Sequence, residues 1–171
     1  MEPLMGLVLL VSIIVCAYLA WNIGANDVAN AMGTSVGSRA LTLKQAVIVA
    51  AIFEFIGAFF AGDAVTDTVR KGILSVDFDT VTAGFANDLM YAFIAAMMAA
   101  AVWLTVATRY GLPVSTTHII VGAVLGVGFA RGIAAIDLRV VLGIVTSWVL
   151  TLPIGAGLAA FFFFFFRGVF L

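Results

Sequence analysis

Residues 4–21 form a run of 18 side chains without a single charge, and nothing constrains the fold of this chain more. A run of that length is a candidate to cross the roughly 30 Å hydrocarbon core of a bilayer as a helix. It is not alone. Residues 46–62 are apolar over 17 positions apart from Glu54, and three further runs follow at 89–107, 119–130 and 140–166. The chain of 171 residues is 64% hydrophobic and only 10% charged, with a mean hydropathy of +1.24. A soluble domain covers its surface with about 25% charged residues, so eight Lys/Arg and nine Asp/Glu cannot coat this one with a water-exposed shell. The implied solvent is lipid. Helices are the economical way to satisfy every backbone group there, and the expected class is an all-α polytopic membrane protein, one transmembrane domain over 1–171, with about five spanning helices.

A net charge of −1 offers no basic face, which sets nucleic acid aside. Cys16 has no second cysteine and His118 no second histidine, so neither a disulfide nor a zinc cluster can be built within the chain. The N-terminus, Met1-Glu2-Pro3 followed by apolar residues, lacks the basic flank of a secretory signal and reads as a membrane helix that is retained. The largest aqueous loop is expected at 63–88, where Arg70 and Lys71 stand among Asp63, Asp67, Asp77, Asp79 and Asp88. Pro153 should kink the long fifth run. The six phenylalanines at 161–166, stopped by Arg167, suggest lipid contact.

Two polar stretches do not fit simple spans. Residues 22–38, NIGANDVANAMGTSVGS, are Gly-rich and polar, and residues 111–118, GLPVSTTH, precede a run of only 12 residues. Broken polar backbone at membrane depth is tolerated where protein buries it or where it lines a watery cavity. Both are therefore expected to be broken or re-entrant helices meeting near the midplane; the alternative for the first is a polar surface loop.

Within the first stretch Asn22, Asn26 and Asn30 are spaced four apart, a helical stripe with Asp27 at its edge. Carboxamide and carboxylate oxygens suit a hard cation such as Na⁺, while carboxamide NH₂ groups can donate to an anion. Ala25, Ala29, Gly33 and Gly37 repeat at the same interval beside it, a pattern that lets another backbone come close. In the second stretch Pro113 ends what precedes it, and Ser115, Thr116 and Thr117 stand where the cap of the next helix belongs. Free backbone N–H groups and hydroxyls at a positive helix end suit a phosphate-like oxyanion; they could equally cap an ordinary helix. Glu54 lies among Ala50, Ala51, Gly57 and Ala58, so it is expected to face another helix, either in a coupling role or in a neutral interhelical hydrogen bond. His118 could relay protons or act as an interfacial donor.

The segments GANDVANAMGTSVGSRALT, EFIGA, TDTVRKGI and GLPVSTTHIIVGAVLGVG resemble the inorganic phosphate transporter family called PiT, over about residues 20–132. The resemblance implies a cation-coupled phosphate symporter of two inverted repeats, of which this chain would carry the first. Residues 26, 27 and 30, with 115, 116 and 117, match the family's substrate and cation segments, Glu54 its intramembrane glutamate, and His118 the end of its PVSTTH pattern. GAND and STTH each occur once here. That leaves a fragment, or a half-size member whose site is completed by a homo-oligomer or another chain. On this reading Asn26, Asp27, Ser115, Thr116 and Thr117 hold inorganic phosphate, and Asn26, Asp27 and Asn30 hold Na⁺ or a proton without any other cofactor. Glu54 and His118 serve coupling. The chain would sit in the cell membrane and would not be an enzyme. A sulfate permease on the same scaffold and a non-transporting assembly subunit are the alternatives.

Overall fold

The computed structural model describes residues 3–67, 83–132 and 136–170. Among them every regular element of more than one residue is an α-helix: α1 (Pro3–Gly37), α2 (Leu43–Asp67), α3 (Ala83–Arg109), α4 (Thr116–Arg131) and α5 (Leu138–Phe170). Four are long and apolar enough to cross a membrane, and α4 is not. At 1.5 Å per residue its 16 residues extend about 24 Å, short of the roughly 30 Å core. The expected all-α class holds, with four helices of spanning length where about five were expected.

The expected break at residues 22–38 is absent. Residues 22–37 form the second half of α1, continuous over 35 residues, and Ser38 begins the turn that follows. The polar side chains do not compete with the helix but run along it: Asn22 Nδ2 donates to the Tyr18 carbonyl at 2.8 Å and Asn30 Nδ2 to Asn26 Oδ1 at 3.0 Å. In lipid, glycine backbone gains nothing by leaving the helix because no water waits for it. The expected break at 111–118 is present, and its chemistry is local. Leu112 N–H donates to the Ala107 carbonyl at 2.8 Å and Gly111 N–H to that of Thr108 at 3.2 Å, with Gly111 at φ 65. This is a Schellman stop, in which glycine takes the left-handed position without a Cβ penalty. Pro113 then prevents the helix from resuming.

Other ends are capped as legibly. Thr42 and Gln45 form a reciprocal capping box before α2, with Thr42 N–H to Gln45 Oε1 at 2.9 Å and Gln45 N–H to Thr42 Oγ1 at 3.3 Å. The Asp137 carboxylate accepts from Arg139 N–H at 2.9 Å at the head of α5. Because α2 runs to Asp67 and α3 begins at Ala83, both ends of the loop expected at 63–88 are helical. Its centre, with Arg70, Lys71, Asp77 and Asp79, lies outside the described residues, as does most of the TDTVRKGI segment.

The described residues up to Ile136 pack as one unit and those from Asp137 onward form a second. In the first, α3 is the hub, packed against both α1 and α4, while α2 leans on α1. The run that makes α3 looks featureless in sequence, but its alanines are the point: Ala100, Ala101, Leu104 and Ala107 are buried to within 1% exposure. Small side chains let neighbouring helices approach closely where lipid supplies no hydrophobic drive. The buried face of α1 is Val8, Val15, Leu19, Asn22 and Asn26, spaced 7, 4, 3 and 4 apart. One stripe thus changes from apolar to polar without leaving the helix face that meets α3. In the second unit α5 stays helical through Pro153, and its phenylalanine rings stack at i and i+4, Phe161 on Phe165 at 6.3 Å and Phe162 on Phe166 at 6.1 Å.

Candidate functional site

The Schellman stop and Pro113 leave α4 to start afresh at Thr116, and Ser115 caps it, its Oγ accepting from His118 N–H at 3.3 Å. The N–H groups of the first turn, those of Thr116 and Thr117 among them, have no partner inside the helix. This end points at α1: Thr116 Oγ1 donates to Asp27 Oδ2 at 2.9 Å. A residue 89 positions away in sequence therefore joins the two polar stretches. The other carboxylate oxygen, Asp27 Oδ1, accepts no hydrogen bond among the described residues.

Asn26, beside Asp27, is 5% exposed. Its Nδ2 reaches Thr108 Oγ1 at 3.4 Å and the Leu112 carbonyl at 3.5 Å, and its Oδ1 accepts from Asn30. Both ends of that carboxamide are engaged, so Asn26 ties α1 to the end of α3 and orients Asn30. Asn30 gives one of its two N–H donors to Asn26, so its carbonyl oxygen can serve a cation while its second N–H can still donate. A carboxylate oxygen, a carboxamide oxygen and a positive helix end thus lie in one neighbourhood.

Of the expected residues, these bonds join Asn26 to Asn30 and, separately, Asp27 to Thr116, with Ser115 and Thr117 flanking Thr116 on the α4 end. Glu54 and His118 are elsewhere. Glu54 is exposed in this chain and lines a groove of about 790 Å³ between α1 and α2, together with Trp21, Ala25, Ala29 and Gly33. The face of small residues on α1 was expected to admit a close backbone; among the described residues it lines open space instead, and nothing lies within 4 Å of a Cβ placed on Gly33 or Gly37. His118 lines a separate groove of about 350 Å³ with Trp103, Ile119 and Gly122. The residues missed in sequence are on α3. Thr105 and Thr108 face the asparagine stripe, and their signal is a pair of hydroxyls three apart in an otherwise apolar run.

The described residues thus form a helical membrane protein in which a short helix starts afresh beside a partly buried carboxamide stripe. The sequence profile of the phosphate transporter family matches residues 23–171, and the chain belongs to that family; it is an integral membrane protein. A Thermococcus kodakarensis protein named as a phosphate permease is 47% identical over 152 residues, 88% of this chain and 36% of that relative. The chloroplastic inorganic phosphate transporter 2-1 of Arabidopsis thaliana is 50% identical over 140 residues, 81% of this chain and 23% of its own length. A solved structure described as the sodium-dependent phosphate transporter superposes with a TM-score of 0.83 at 42% identity, covering 95% of this chain and 39% of the other. The chain spans little more than a third of the length of the archaeal relative.

Proposed function

We propose that this chain carries part of a cation-coupled phosphate symport site, with Na⁺ or a proton at Asp27 and Asn30 and phosphate at the α4 start formed by Ser115, Thr116 and Thr117. The observation that carries the reading is the 2.9 Å bond between Thr116 and Asp27, which puts a carboxylate where an anionic substrate would otherwise be most welcome. Two unit charges about 4 Å apart repel by roughly 4 kcal/mol at an effective dielectric of 20. A cation on the carboxylate removes that repulsion, so neither ion binds well alone and the two become coupled. The cation also frees the donor. Thr116 has a single hydroxyl proton, and while it points at Asp27 it is not available to phosphate.

The family and its relatives' names support phosphate as the substrate, and the solved relative's description supports sodium. One polar stripe and one short helix make an incomplete enclosure, and we propose that a second repeat, from another chain or from further sequence, completes it and rocks against this one during transport. The test is uptake of radiolabelled phosphate and sulfate into proteoliposomes, with and without Na⁺ and with and without a proton gradient. Cation-dependent phosphate uptake that exceeds sulfate uptake is expected. Equal uptake of both anions, or uptake indifferent to both cations, contradicts the reading.

A further inference from the structure

One turn before the proposed site, a hydrogen-bonded ring joins α1 to α3 and is not used by the reading above. Thr105 Oγ1 lies 2.8 Å from Asn22 Oδ1 and 2.9 Å from the Ala101 carbonyl, and it is also bonded to the Tyr18 hydroxyl. Asn22 Nδ2 donates to the Tyr18 carbonyl at 2.8 Å.

Proton counting gives these bonds a direction. The Tyr18 carbonyl can only accept, so the NH₂ end of Asn22 must face it and the oxygen end must face Thr105. Thr105 has one proton, and both Asn22 Oδ1 and the Ala101 carbonyl are acceptors only. That proton goes to one of the two, and Thr105 must receive its third bond from the Tyr18 hydroxyl. With that proton on Asn22, the shorter of the two contacts, the ring runs from Tyr18 hydroxyl to Thr105, from Thr105 to Asn22, and from Asn22 back to the Tyr18 carbonyl. Asn22 is 5% exposed, so no water substitutes for a missing partner.

The consequence is mechanical. Asn22 precedes Asp27 by five residues, about 7.5 Å along the helix axis. The ring fixes the rotation and height of α1 against α3. The end of α3, through the stop at Gly111, fixes where α4 begins. Whether Asp27 meets Thr116 therefore depends on the register of α1 with α3. We propose that Thr105 is a positioning residue of the transport site: through Asn22 and Tyr18 it holds α1 in the register that brings Asp27 to the α4 start. The proposal rests on the functional reading given above for the meaning of the site, but the register it describes is measurable without transport.

Thr105→Val keeps the β-branch and volume and removes the hydroxyl, and Thr105→Ser restores it. In a Cys16→Ser background, spin labels at Thr34→Cys on α1 and Phe129→Cys on α4 report the distance between the two helices by pulsed electron resonance. Thr105→Val is expected to shift or broaden that distribution, and Thr105→Ser to return it. An unchanged distribution in Thr105→Val overturns the proposal. In proteoliposomes made with the whole protein, Thr105→Val is expected to raise the KM for phosphate about three- to tenfold, as loss of one membrane hydrogen bond would. Maximal uptake per folded protein should be retained, and Thr105→Ser should match the unsubstituted protein. A lower yield of folded protein with unchanged KM would mean that Thr105 serves folding alone, which also overturns the proposal. If the unsubstituted protein takes up no phosphate under any gradient, the functional reading fails, and the spin-label distances still decide the role of Thr105.

Discussion

The two long faces of α1 carry the same four-residue spacing and have opposite fates. Asn22, Asn26 and Asn30 run along the face that meets α3 and the α4 start, and their carboxamides are engaged by Thr105, Thr108, Leu112 and one another. Ala25, Ala29, Gly33 and Gly37 run along the face toward α2 and border an open groove. The difference teaches what a spacing can specify. A polar stripe in lipid needs named partners, so its neighbours follow from its chemistry. A stripe of small residues permits closeness without demanding it.

That contrast can be broken most sharply at Asp27, on the filled side. Asp27→Ala removes the carboxylate that Thr116 reaches and the proposed cation ligand together. A charge-assisted bond is worth about 1.5–3 kcal/mol, so phosphate uptake in proteoliposomes is expected to fall roughly ten- to a hundredfold. Uptake within twofold of the unsubstituted protein would separate the α1–α4 contact from transport.

Next in size is Ala101→Leu, on the α3 surface that is 0% exposed. Overpacking of such a site costs about 1–3 kcal/mol, which a lowered thermal midpoint in detergent would report. Glu54→Gln probes the open side. Its exposure predicts a stability change within about 0.5 kcal/mol, while a coupling role predicts a drop in uptake of about fivefold, the equivalent of one hydrogen-bond-sized term. Full uptake by Glu54→Gln would show that a neutral hydrogen-bonding side chain suffices there. The smallest effect is expected from Gly33→Ala, whose Cβ meets nothing within 4 Å. Helix propensity then favours alanine by up to about 1 kcal/mol. A loss of stability instead would show that the face is packed in the protein as purified.

Much of this was legible in sequence, for reasons that differ by residue. The break at Gly111-Leu112-Pro113 and the cap at Ser115 are local devices, and local chemistry is what a sequence states most directly. The asparagine stripe was equally visible. Its continuity with Val8, Val15 and Leu19 shows which way it faces, because one helix face has to keep one neighbour. The continuity of α1 through residues 22–37 is hidden by its glycines, which break helices in water but have no competing solvent in lipid. Thr105 and Thr108 do not stand out in sequence because an Ala-rich run resembles plain lipid-facing helix; only the partner stripe on α1 gives two hydroxyls three residues apart a meaning. The approach of Thr116 to Asp27 across 89 positions is tertiary, and no spacing within either stretch contains it.

The central claim is that cation and phosphate share one neighbourhood built around Asp27, and coupling free energy measures it directly. Phosphate affinity of the purified protein can be determined by calorimetry at low and high Na⁺, with ionic strength held constant, and again in Asp27→Asn. The account predicts that Na⁺ tightens phosphate binding at least about tenfold, that phosphate tightens Na⁺ binding by the same factor as linkage requires, and that Asp27→Asn abolishes this mutual effect. Phosphate binding that is unchanged by Na⁺, with a proton gradient likewise without effect on uptake, or a mutual effect that survives intact in Asp27→Asn, would contradict it.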